Sequence, residues 1–295
     1  MDYEEFLVQI KLWVQRRMGK EAKIAIFPVW KNNSILMDAM SILEPGEQCS
    51  PALYMNEFYQ EYLRHGSFEL AAKELMRRYQ YGKEQQCFNI EVLQDPKRVG
   101  KRIVTKLINR EYNRGLLNEI PHRSFLNLAV VYSYLMEGCR IGEASVLIRN
   151  EHLMKWKMEP EQLEETAKEN MKELLPWDFF SLAQMMSHEG EEAVKEAEQI
   201  PLYVLTNKEK YFGAAWMMDT QVLGKIGAQL GEDYYVLPSS VHECMIVPSG
   251  FGVDARGLQK MVKEINETQV EPEEILGDTI YSYDTKKERL RIAVE

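Results

Sequence analysis

Short β-rich runs come in pairs along this chain, each pair closed by a turn, and amphipathic helical stretches lie between the pairs. That pairing narrows the fold more than any other feature. Two strands joined by a few residues run antiparallel, because parallel neighbours need a crossover of a dozen or more residues. Residues 24–30 and 34–43 flank Lys31, Asn32 and Asn33, and asparagine tolerates the positive φ that tight hairpin turns use. Residues 125–136 and 144–148 flank Glu137 and Gly138, residues 202–206 precede an apolar run at 214–218, residues 234–237 and 244–247 flank Pro238 to Ser240, and 279–283 with 289–294 close the chain. Helical spacing marks 2–18, where Phe6, Ile10, Trp13, Val14 and Met18 share a face that Gly19 ends. It also marks 54–64, 67–81 with Ser67 as N-cap, 97–114 after the start signal Asp95 Pro96, 151–157, a helix opening at Glu159 Pro160, 219–230 and 258–267.

This order predicts an α+β fold with mixed or antiparallel sheets, built from recurring hairpin-plus-helix units in two lobes, 1–120 and 121–295, since a doubly wound sheet alternates single strands with single helices. Gly250 Phe251 Gly252 lacks the third glycine of a dinucleotide fingerprint and no GxxxxGK[ST] occurs, so the common nucleotide loops are absent from the sequence. A formal net charge of -10 argues against nucleic acid and anionic membranes as partners. No apolar run is long enough to span a bilayer, and the acidic N-terminus has the wrong sign for a signal peptide, so a soluble cytoplasmic protein is expected. Cys49, Cys87, Cys139 and Cys244 are far apart and read as four free thiols. The five histidines show no HxxxH or HExxH spacing, so neither a metal nor a cofactor is expected.

Two stretches carry chemistry. Between strands, Pro238 Ser239 Ser240 Val241 His242 Glu243 gathers hydroxyls, an imidazole and a carboxylate, which with Asp254 could serve a hydrolase or metal-assisted enzyme. Neighbours on an extended segment face opposite ways, however, so His242 and Glu243 are expected to diverge, with His242 as a hydrogen-bonded structural residue. In 97–114, Lys97, Arg98, Lys101, Arg102, Lys106, Arg110 and Arg114 stand against the single acid Glu111. Arg98, Arg102, Lys106, Arg110 and Arg114 recur every fourth residue beside apolar rows, which reads as a basic amphipathic helix able to bind a polyanion or to pair with acids of its own chain. The methionines read as packing, and the carboxylate pairs Glu164 Glu165, Glu191 Glu192 and Glu273 Glu274 as diverging residues on solvated helix faces.

Several segments together resemble a family of uncharacterised bacterial proteins common in gut anaerobes: Lys31 Asn32 Asn33 leading to Ser41 Ile42, Leu107 Ile108 Asn109 with Asn113 and Pro121, Leu202 to Asn207, and Leu237 to Glu243. They span nearly the whole chain. The hairpin-helix halves are more distantly similar to a second bacterial family, and neither resemblance implies an activity, a cofactor or a catalytic residue. The expected function is therefore a binding or interaction protein without catalysis, with a protein or small-molecule partner. The enzyme built on Ser239, Ser240, His242, Glu243 and Asp254 and the polyanion binder built on the basic helix stand as its alternatives.

Overall fold

Asp2 and Glu5 start the first helix by a reciprocal capping box: the Asp2 carboxylate accepts from Glu5 N at 2.9 Å, and the Glu5 carboxylate accepts from Asp2 N at 3.3 Å. The helix, α1 (Tyr3–Met18), buries Phe6, Ile10 and Val14 and stops at Gly19, whose φ of 84° a side chain would resist. The computed structural model describes residues 1–47, 50–84, 90–137, 141, 145–185 and 201–294.

The first hairpin forms as its residues predict. β1 (Lys23–Trp30) and β2 (Leu36–Leu43) pair antiparallel from Lys23 opposite Leu43 to Trp30 opposite Leu36, and Asn33 takes the left-handed conformation at φ 61° in the turn. β3 (Leu53–Tyr54) adds to β2, and α2 (Met55–His65) and α3 (Phe68–Glu84) follow. Phe6, Ile10, Met40, Ile42, Phe58, Leu75 and Tyr79 make one core for this unit.

The second sheet overturns the basic helix. Asp95 caps as expected, accepting from Lys97 N and Arg98 N, and Pro96 occupies the first turn, but α4 ends at Gly100 (Pro96–Gly100). The chain then extends as β4 (Ile103–Asn109), buried at nearly every position and paired along its length with β6 (Leu128–Leu135). A short helix, α5 (Arg114–Leu117), follows. A four-residue repeat of basic side chains fits a strand as well as a helix, since even spacing keeps every member on one strand face. What decides between them is Ile103, Val104, Thr105 and Ile108, whose branched β-carbons suit a pleated surface and lose rotamer freedom in a helix. β5 (Arg123–Phe125) and β7 (Ser145–Leu147) share the other edge of β6, so strands from both sides of residue 120 meet in this sheet.

After α6 (Asn150–Trp156) and α7 (Pro160–Leu174), the third sheet runs in the order β13-β12-β10-β11-β9-β8. Its strands are β8 (Trp177–Ser181), β9 (Tyr203–Asn207), β10 (Tyr234–Leu237), β11 (Cys244–Pro248), β12 (Ile280–Asp284) and β13 (Arg289–Val294), and every described pairing is antiparallel. β8 leads into the single-turn α8 (Leu182–Met185). Asp219 caps α9 (Thr220–Leu230) and Asp254 caps α10 (Ala255–Thr268). The second and third sheets share one large core that includes Val104, Tyr132, Leu205, Trp216 and Ile246. These elements make the fold α+β.

The run at 214–218 is a buried 3-10 turn, Gly213–Met218, and not the expected strand. Phe212 enters it in the left-handed conformation, φ 55°, and Gly213 is pressed so hard against its neighbours that a β-carbon there would lie 2.4 Å from His242 O and from Thr206 Oγ1. Gly213→Ala should therefore cost about 1–3 kcal/mol through overpacking. Gly100→Ala, which meets nothing within 4 Å, should be neutral or stabilising by up to about 1 kcal/mol. Urea unfolding midpoints of the two variants check both signs.

Candidate functional site

Four segments far apart in sequence meet where the first hairpin turn touches the rest of the chain. A turn exposes backbone groups that must find partners, and here asparagine side chains supply them. Asn33 and Asn113 form a reciprocal amide pair: Asn33 N donates to Asn113 Oδ1 at 2.8 Å, and Asn113 Nδ2 donates to Asn33 Oδ1 at 3.0 Å. Asn33 Nδ2 also donates to Pro272 O and Ile275 O at 2.9 and 2.6 Å, Asn32 Nδ2 to Glu273 O at 2.7 Å, and Asn109 Nδ2 to Leu276 O at 3.1 Å. Asn113, fully buried, closes the set by donating to Asn109 O at 2.8 Å. The loop at 272–276 is strapped from its other side by the Ser239–Val241 segment, with Val241 N donating to Glu274 O and Leu276 N to Ser239 O, both at 2.8 Å.

This strapping brings Glu274 to His242. His242 Nε2 lies 3.3 Å from Glu274 Oε1, while Nδ1 accepts the Phe212 backbone N–H at 3.2 Å. With Nδ1 accepting, the ring proton sits on Nε2 and points at the carboxylate. The imidazole stacks on Phe212, 5.8 Å between centroids at 12°, and lies 5.3 Å from the Tyr211 ring. The hydrogen bond from His242 holds the Glu274 carboxyl below its usual range, against the opposing effect of burial, with the electrostatic attraction of His242 and Lys106 adding to it.

Lys106 lies on β4 near the same carboxylates. Its ammonium is 4.9 Å from the centre of the Phe212 ring and has neither an ion-pair nor a hydrogen-bond partner among the described residues. Burial pushes its pKa down to about 8; the neighbouring Lys31 adds to the shift, and Glu274 and Glu273 oppose it. Lys31 itself sits 3.6 Å over the Tyr54 ring. Two buried acceptors close by, Asn32 Oδ1 and Glu273 Oε2, have no hydrogen-bond partner among the described residues. Glu273 and Glu274 thus belong to a partly buried loop, a correction to their reading as solvated helix residues: their backbone is consumed in the strapping, which turns the side chains toward the junction.

The remaining candidates are not assembled into one site. Ser239 and Ser240 are buried, and Ser240 Oγ accepts from His242 N at 3.1 Å, with no contact to the ring. The Glu243 carboxyl is pushed up by burial, with Lys210 and His242 opposing. Asp254 accepts from Gly257 N at 2.7 Å as a helix cap. Arg98 pairs with Glu137, Arg102 Nε donates to Leu135 O at 2.8 Å, and Arg114 pairs with Glu111 at 2.6 Å. Arg110 is exposed at the end of β4. Cys244 is a free, buried thiol pushed up by burial, while Cys49, Cys87, Cys139, His188, Glu191 and Glu192 lie outside the described residues. Among the described residues no group of three or more His, Cys, Asp or Glu is placed to hold a metal ion.

Truncation of His242 leaves the Phe212 N–H and the Glu274 carboxylate without their partner. His242→Ala should therefore destabilise the protein by about 1–3 kcal/mol, read as a fall in melting temperature at pH 7. Glu274, with its pKa held below 4.5, contributes stability that is present above that pH and lost as pH falls through the folded value. Glu274→Gln should flatten the acid limb of the melting-temperature profile, leaving the alkaline limb unchanged.

Comparison with curated proteins and with solved structures finds no match to the chain in either. One family model does match, over residues 3–285, and takes in all four segments of the junction. By that match the chain belongs to a family of unknown function, DUF5688.

Proposed function

We propose that this protein is a non-catalytic binding protein whose ligand presents an anionic group to Lys106. The observation that carries the reading is a partly buried ammonium with no counter-ion within ion-pair distance among the described residues. Such a group destabilises a fold, because desolvation is not offset by a partner. Binding sites are where destabilising residues of this kind serve a purpose. The bound anion would supply the missing charge, with Lys31 beside it and the unpaired acceptors Asn32 Oδ1 and Glu273 Oε2 open to donors on the same ligand.

The hydrolase reading draws support from the His242–Glu274 pair, which resembles the orienting half of a catalytic triad. A general base also needs a free nitrogen, and Nδ1 is already bound to the Phe212 N–H. The polyanion reading needed the helix at 97–114, and its basic residues are divided among two short helices, a strand and the turns between them. As to setting, the resemblance to proteins of gut anaerobes supports a bacterial origin, and the buried free thiol of Cys244 suits a reducing cytoplasm.

The test is Lys106→Met. Between pH 8 and 10.5 the unfolded chain holds a proton that the folded chain has lost, so stability rises with pH across that window and the full penalty applies below it. The variant should be more stable than the parent at pH 7 by about 1–3 kcal/mol, with the advantage disappearing above pH 10.5. In a thermal-shift screen of small carboxylates and phosphates at pH 7, the parent should be stabilised by at least one anion and the variant by none. A variant less stable at pH 7, or a parent that no anion stabilises, overturns the reading.

A further inference from the structure

Adjacent residues on a strand face opposite ways, so Thr105 turns away from the junction that Lys106 faces. Thr105 lies directly opposite Tyr132 in the β4–β6 register. Both are more than nine-tenths buried, Thr105 at 6% and Tyr132 at 3% exposure, and neither hydroxyl has a hydrogen-bond partner among the described residues. Neither is among the fully enclosed polar atoms left unpaired, so both hydroxyls have access to open space. On this side of the sheet, between β4, β6, α7 and the Gly213–Met218 turn, is a cavity of about 280 Å³ with Thr105 in its wall. That is slightly below the range of about 300–1,000 Å³ usual for small-molecule sites, so its occupant is small.

The cavity has an apolar floor and a charged mouth. Val130, Met171, Ala215 and Trp216 make the floor, and the Trp216 indole is held in place by donating Nε1–H to Leu175 O at 2.8 Å. Both acids at the mouth are committed: Glu164 accepts from Arg123 Nε at 2.8 Å, and Asp219 accepts from Gln221 N and Val222 N as the cap of α9. Lys168 and Lys172, one turn apart on α7, have no ion-pair partner among the described residues. In a chain of net charge -10 this leaves a local excess of positive charge over an apolar floor. Burial pushes the Tyr132 phenol up to about 12, with the Glu164 charge adding to it, so it remains a proton donor at neutral pH.

We propose that this cavity binds a small amphipathic carboxylate, its compact aromatic or branched aliphatic body against Trp216 and Val130 and its carboxylate toward Lys168 and Lys172, with the Thr105 hydroxyl as a further polar contact. The site lies across β4 from Lys106 and is independent of the reading given to that residue.

Isothermal titration of the full chain with phenylacetate, 2-phenylethanol and phenethylamine tests it, because the three share a phenyl body and differ in the charge of the head group. Phenylacetate should bind about tenfold or more tighter than the neutral alcohol, and the amine weakest. The double variant Lys168→Gln with Lys172→Gln, both exposed positions that leave folding intact, should weaken phenylacetate to the level of the alcohol without changing the alcohol. Thr105→Val should weaken phenylacetate several-fold, about the effect of one lost hydrogen bond, and Lys106→Met should leave it unchanged. Equal or tighter binding of the alcohol or the amine overturns the proposal. So does the absence of binding by a folded parent, or an affinity that follows Lys106 and is indifferent to Lys168 and Lys172.

Discussion

The loop at 272–276 has few backbone partners of its own, and the carbonyls of Pro272, Glu273, Ile275 and Leu276 are satisfied by side chains from elsewhere in the chain: Asn32, Asn33 and Asn109. A buried backbone group without a partner would cost about 1–3 kcal/mol, so the three asparagines are a condition of the loop's conformation. The reciprocal pair of Asn33 and Asn113 extends this dependence to the first hairpin, whose turn is held against the second sheet through the same amides. His242 acquires its carboxylate partner as a consequence, because Glu274 lies in the loop so held. Polar networks of this kind favour one arrangement over others, since a slipped register would leave several buried amides unsatisfied at once.

β4 lies at the centre of this arrangement and divides it. Lys106 on one face and Thr105 on the other point into two chemically different environments, a charged junction and an apolar cavity with a cationic mouth. A strand can do this because its side chains alternate while its backbone is held along its length, here by pairing of one edge to β6 from Ile103 to Asn109. The pairing also explains why the partly buried ammonium of Lys106 is tolerated: seven paired residues and the core around Val104 and Leu107 hold the strand in place against the desolvation of one side chain.

How legible these features were in the amino-acid sequence depended on the distance over which each was decided. The first hairpin was readable because its turn needs a residue tolerant of positive φ and Asn33 is one. Asp95 with Pro96 was readable as a helix start, and it is one, but it says nothing of where the helix ends. The strand β8 and the short β5 passed unnoticed: each follows a proline, Pro176 and Pro121, but runs for only five and three residues, too few for alternation to show. His242 was expected to be hydrogen-bonded and structural, and both of its ring nitrogens are occupied. Its partner Glu274 lies 32 residues away, and in sequence it is one acid in a run of acids.

The sequence by itself determined the class of fold, because strand pairs separated by short turns run antiparallel and the intervening amphipathic stretches must cover them. It also determined where most helices begin, through caps and prolines whose hydrogen bonds are local. Tertiary structure completed the choice of a strand at 103–109: a basic residue every fourth position satisfies both periods, the branched residues Ile103, Val104, Thr105 and Ile108 favour the strand, and β6 alongside supplies its pairing. It decided that Gly213 starts a tight buried turn, because that depends on Thr206 and His242 O lying against it. It decided as well that Lys31, Lys106, His242, Glu273 and Glu274 share one region, since desolvation and charge depend on distance in space and no spacing along the chain encodes that.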